Sequence, residues 1–129
     1  MKITTRSEYG LRAMYYLKQN YEDNPIPIAK MVEELCLSQN YLEQLFRSLK
    51  KDNLVISYRG KDGGYRLAKD PKDITIGSII RSLEGDIELA SKCNISHSCI
   101  SIDCITRNIF YKIDAAVSDV IDNLTLQDI

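Results

Sequence analysis

What the chain lacks narrows its class first. It holds a single histidine in 129 residues. It has no nucleophile motif, no dinucleotide fingerprint and no phosphate-loop signature, so an enzyme finds little support. No stretch approaches the roughly 20 apolar residues of a membrane span. The opening MKITTRSEYG has neither the apolar core nor the small-residue cleavage site of a secretory signal. These absences point to a cytoplasmic protein with reduced thiols. Cysteine is scarce too, with four in all. In that compartment clustered cysteines bind metal or sense redox more often than they form structural disulfides. At 44% hydrophobic and 27% charged residues the chain is an ordinary folded domain rather than a disordered one.

Net charge is nearly absent as well, at −1, but it is unevenly spread. Residues 1–85 carry 14 Lys/Arg against 11 Asp/Glu, and residues 86–129 carry 3 against 7. Within residues 44–72 the count is 8 against 3. That local excess is the footprint of a DNA-facing surface, although a solvated charged face accounts for it equally well.

The pattern along the chain predicts helices first. One is expected from Glu8 to Asn20, with Tyr9, Ala13, Tyr16 and Leu17 on one face and a capping box formed by Thr5 and Glu8. The turn YEDNPIP follows. Next come two short apolar runs, Ile28, Met31, Val32, Leu35 and then Leu42, Leu45, Phe46, Leu49. Ser38 or Asn40 is placed to cap the second, and Cys36 between them reads as a small buried hydrophobe. Two helices joined this tightly make a helix-turn-helix or a plain helical hairpin. LVISYRG, KDGG and YRLAK then read as a β-hairpin with turn glycines.

The order helix, helix-turn-helix, hairpin predicts a mainly α winged helix with a small β-hairpin over residues 1–85. A further helix ends at Gly85. Residues 86–129 follow as a cysteine loop and a long helix. On that helix Ile105, Ile109, Ile113, Ala116, Val117, Val120 and Leu124 form one stripe. Burial against a second copy makes a two-fold dimer suited to a palindromic operator in double-stranded DNA. Burial against the first helix is the competing expectation. Base-reading side chains are expected at Ser38, Gln39, Asn40, Tyr41, Glu43 and Gln44. Arg47 is expected at phosphate, and Arg59, Lys61 and Arg66 are the basic residues of the wing.

Residues 93–104 read CNISHSCISIDC, three cysteines in twelve residues. Their separations are too wide for the paired hooks of a zinc ribbon. An iron–sulfur cluster on three soft thiolates, a zinc site of three cysteines with His97, and metal-free thiols remain open from spacing alone.

The runs NYLEQLFRSL and RGKDGGYRLA, the opening TTRSEYGLRAMYYL and the phrase IRSLEG resemble the bacterial winged-helix regulators that include IscR, NsrR and CymR. The resemblance covers residues 1–124. It implies a homodimeric DNA-binding transcriptional regulator. In its cluster-binding branch three cysteines before the dimerisation helix hold an iron–sulfur cluster, which here implies Cys93, Cys99 and Cys104. The intervals contain five and four residues, against five and five in the commonest pattern. Glu8 matches the acidic fourth ligand that some members supply from the partner subunit, and His97 is a further ligand possibility. The histidine that follows the third cysteine in 2Fe–2S members is absent after Cys104, which favours 4Fe–4S. The implied function is operator binding controlled by cluster status, iron, oxygen or nitric oxide. A metal-free thiol-sensing regulator is the alternative.

Overall fold

The computed structural model describes residues 3–22, 24–86 and 102–129, with side chains of the last stretch from residue 105 onward. In chain order it has α1 (Thr5–Gln19), α2 (Ile28–Leu35), α3 (Gln39–Lys51), β1 (Val55–Tyr58), β2 (Gly64–Leu67), α4 (Ile76–Glu84) and α5 (Ile102–Asn123). This is the mainly α winged helix expected from the sequence.

Apolar residues at helical spacing assemble the core. Ala13, Met14 and Leu17 of α1 are buried with Met31 of α2, Leu42, Leu45, Phe46 and Leu49 of α3, and Ile79, Ile80 and Leu83 of α4. Helix α1 lies so close to α4 that a Cβ on Gly10 would stand 2.0 Å from Leu83 Cδ1. Helix starts follow their caps. Ser38 Oγ accepts from the Tyr41 N–H at 3.2 Å, and Thr75 Oγ1 accepts from that of Ser78 at 3.0 Å. Gly85, at φ 82°, ends α4 where a stop was expected.

The start of α1 differs from expectation. Its N-cap is Thr4, whose Oγ1 accepts from the Arg6 N–H at 3.2 Å, and the helix begins at Thr5. The capping carboxylate comes from α4. Glu84 accepts from the Thr4 N–H at 3.0 Å, the Ser7 N–H at 3.3 Å and Ser7 Oγ at 2.9 Å, as well as from Thr4 Oγ1. Arg6 returns the favour by donating to the Leu83 carbonyl at the C-terminal end of α4 at 2.9 Å. A residue 80 positions away thus displaces the local capping box. Glu8 stays at the surface, paired with Arg12 at 2.7 Å.

Glu84 makes acid stability testable. Partial burial pushes its carboxyl up, but hydrogen bonds from Thr4 and Ser7 outweigh this and hold it below the ordinary glutamate value of 4.5. A depressed folded-state value contributes stability above that unfolded value and loses it as pH falls through the folded one. A Glu84→Gln chain should therefore be less stable at pH 7 and show a shallower decline in melting temperature on acidification. Parallel acid limbs in the two chains would contradict this.

The wing is antiparallel, with Val55 opposite Leu67 and Tyr58 opposite Gly64. Ile26 adds a third short rung, exchanging two backbone hydrogen bonds of 2.9 Å with Tyr65. The Tyr65 ring stacks on Phe46 of α3 at 4.3 Å between centroids, 12° from parallel, and so seats the wing on that helix.

Helix α5 meets its own chain chiefly along α4 rather than along α1. Leu126 is buried, and the tail is held by backbone bonds of 2.8 Å from Ile76 to Leu124 and from Leu126 to Ile74. The single stripe expected on α5 divides. Val117, with Ile121, packs on the core, whereas Ile105, Ile109, Ile113 and Val120 are 67%, 53%, 40% and 57% exposed. Cys36 also departs from expectation. It is exposed, because it closes α2 in the left-handed region at φ 54°, where the chain turns away from the core.

Candidate nucleic-acid interface and cysteine segment

Helix α3 carries the residues expected to read bases. Its apolar face is buried, which leaves Ser38, Gln39, Asn40, Gln44 and Arg47 exposed and Tyr41 and Glu43 half-buried. Gln39 Nε2 donates to Glu43 Oε1 at 3.1 Å, so the two side chains stand together one turn apart. Such a pair presents an amide and a carboxylate, groups that match adenine and cytosine edges.

At the other end of α3, Lys50 lines one groove with Arg59 and Lys61 of the wing and with the start of α2. Arg59, Lys61 and Arg66 line an adjoining depression of about 500 Å³ with Tyr58 and Asp62. Arg66 is half-buried and the other two basic groups are exposed. Burial and the Glu43 carboxylate push the Tyr65 phenol up while the Arg47 guanidinium opposes them, so both α3 charges are felt at the wing. The basic residues of the wing and the C-terminal end of α3 are therefore brought together, and the Ser38–Gln44 group occupies the opposite end of the same helix.

One connection was invisible in the sequence. Glu8 holds Arg12, the Arg12 guanidinium lies 5.3 Å from the Tyr9 ring centroid, and Tyr9 meets Tyr41 edge-on at 6.0 Å. A path of contacts thus runs from Glu8 to the first turns of α3. The spacing of Glu8 and Arg12 hinted at the first link; the aromatic pair joins two helices and has no local signature.

Cys93, His97 and Cys99 lie outside the described residues. Cys104 falls in the first turn of α5, whose backbone is described from Ile102. Among the described residues no group of three metal-ligating side chains converges. The donor set fits an iron–sulfur group on its chemistry. Three soft thiols suit iron.

The chain matches the family model Rrf2, described as an iron-dependent transcriptional regulator, over residues 3–129. It is 34% identical to the HTH-type transcriptional regulator IscR of Photobacterium profundum, over its full length and 75% of that protein. Among solved structures it is similar to CymR of B. subtilis, the global cysteine regulator, with a TM-score of 0.83 and 36% identity over 99% of this chain and 95% of that one. It is also similar to T. potens IscR, with a TM-score of 0.78 and 38% identity over 99% and 85% of the two chains.

Proposed function

Because the chain belongs to the Rrf2 family of transcriptional regulators, and is not an enzyme, we propose that it binds a palindromic operator as a homodimer under the control of an iron–sulfur group. What supports the reading is a winged helix with a basic wing in a chain whose sequence carries three cysteines at residues 93–104, just before and at the start of α5. Cys93, Cys99 and Cys104 would hold the group, with Glu8 of the partner subunit the favoured fourth ligand, His97 the weaker one, and 4Fe–4S favoured over 2Fe–2S. When bound, it supplies a link that oxygen, nitric oxide or iron shortage can break.

The chain's own residues carry the consequence. Glu8 now holds Arg12 through one carboxylate oxygen, so a cluster held by Glu8 would compete with that pair and loosen the guanidinium beside Tyr9. Tyr9 leans on Tyr41, and Tyr41 sits in the first turns of the reading helix. Two arrangements of Arg12 therefore bias two settings of the base-reading end of α3, as a coupling free energy requires.

On DNA, Gln39, Asn40, Glu43 and Gln44 read base edges, with Ser38 and Tyr41 supporting them. Arg47, Arg59, Lys61 and Arg66 meet phosphate. Gln44→Ala should change the sequence recovered by selection from a random duplex library. Arg59→Ala should weaken binding to every sequence and lower the salt slope by about one. An unchanged salt slope in Arg59→Ala would remove the wing from the interface.

A metal-free thiol switch is the second reading. The exposed Cys36 thiol, two residues before the cap of α3, favours it. DNA binding that peroxide abolishes in iron-free protein, and that Cys36→Ser preserves, would establish it.

A further inference from the structure

Helix α4 is tied on both sides. Toward α3, Ser82 Oγ donates to the Ser48 carbonyl at 3.0 Å, and Arg6 bridges Ser48 Oγ and the Leu83 carbonyl at 2.9 Å each. Toward α5, the Arg81 guanidinium forks onto Asp122, Nη1 to Oδ1 at 2.5 Å and Nη2 to Oδ2 at 3.1 Å, with Nη2 also 3.4 Å from Ser118 Oγ. The fork fits because residue 77 has no side chain. A Cβ there would stand 2.1 Å from Asp122 Oδ1 and 2.7 Å from Arg81 Nη1.

The pair is partly exposed, so its contribution to stability is small. Its geometry is another matter. A bidentate guanidinium–carboxylate contact fixes distance and plane together. It lies at the C-terminal end of α5, while Ile105, Ile109 and Ile113 lie toward the other end. The helix is about 33 Å long at 1.5 Å per residue, so a tilt of about 10° at the joint moves its far end by about 6 Å. That is close to the rise of two base pairs, at about 3.4 Å each.

We propose that the Arg81–Asp122 joint, admitted by Gly77, sets the angle between α5 and the DNA-reading core and thereby selects the separation of the two operator half-sites. This rests on the homodimer through α5 proposed above. Arg81 is a positioning residue: it touches no base and acts through the direction in which α5 leaves the core. Hydrogen bonding from Arg81 holds the Asp122 carboxyl below its ordinary range, so the joint stays charged through neutral pH.

The test uses duplexes recovered by the wild-type protein from a random library, resynthesised with half-sites one or two base pairs closer or farther apart. Wild type should prefer its own spacing by about tenfold or more. Arg81→Ala and Gly77→Ala, one removing the cation and the other crowding the fork, should both flatten that preference to about threefold or less while remaining dimers. Exchanging the charges, Arg81→Asp with Asp122→Arg, should restore it. Asp122→Asn serves if a variant fails to fold. Dimeric variants that keep the wild-type spacing profile overturn the inference alone. A wild-type protein that is monomeric on DNA overturns the dimer reading and the inference with it.

Discussion

A Gly64→Ala chain should lose about 3 kcal/mol of stability, melt roughly 10 °C lower, and bind DNA at least about tenfold more weakly. Gly64 sits at φ +154°, and an added Cβ would stand 2.1 Å from the Ile26 carbonyl oxygen, 2.3 Å from its carbon and 2.7 Å from Pro27 N. All three are backbone atoms, so no side chain can swing aside. Relief requires breaking the paired bonds between Ile26 and Tyr65, and with them the seat of Tyr65 on Phe46. Gly60→Ala is the matched control. Gly60 has φ +101° but open space around it, so only backbone strain of about 1 kcal/mol is added. Calorimetry on both chains separates the two causes. Equal losses would mean that the approach of β2 to Ile26 is not what holds the wing.

The second large effect is expected on α5. Ile109→Glu combined with Ile113→Glu should give a folded monomer whose operator affinity falls about a hundredfold, because two linked half-sites become two independent ones. Both residues are exposed and lie one and two turns before Val117, which with Ile121 packs on the core. The winged helix should therefore melt within a few degrees of wild type. Sedimentation at micromolar concentration reads the assembly directly. A variant that remains a dimer would move the seam elsewhere.

Much of this fold was legible because local rules agreed with the tertiary result. In α3 the spacing of Leu42, Leu45, Phe46 and Leu49 marked the buried face, and Ser38 marked the start. The wing followed from its turn glycines. Legibility failed where a distant residue or an uncommon backbone angle decided the outcome. Thr5 and Glu8 have the spacing of a capping box, yet Glu84 supplies the carboxylate and Thr4 the cap. Cys36 reads as an apolar filler, yet its left-handed backbone puts it at the surface. On α5 one apolar stripe was visible, but only the packing of α4 separates Val117 from its neighbours. The joint of Gly77, Arg81 and Asp122 spans 45 positions and had no signature at all. Of the candidate interface, the polar face of α3 and the basic wing were visible; the aromatic link from Tyr9 to Tyr41 was not.

We propose that an iron–sulfur group on Cys93, Cys99 and Cys104 controls DNA affinity. The most direct test is native mass spectrometry of protein purified without oxygen, with affinity for its selected duplex measured before and after the iron is removed. The protein should be a brown dimer carrying iron and sulfide, with no such mass in Cys99→Ala and a change in affinity of about a hundredfold on iron removal. A colourless protein that stays metal-free after reconstitution, with the same DNA affinity throughout, would contradict it.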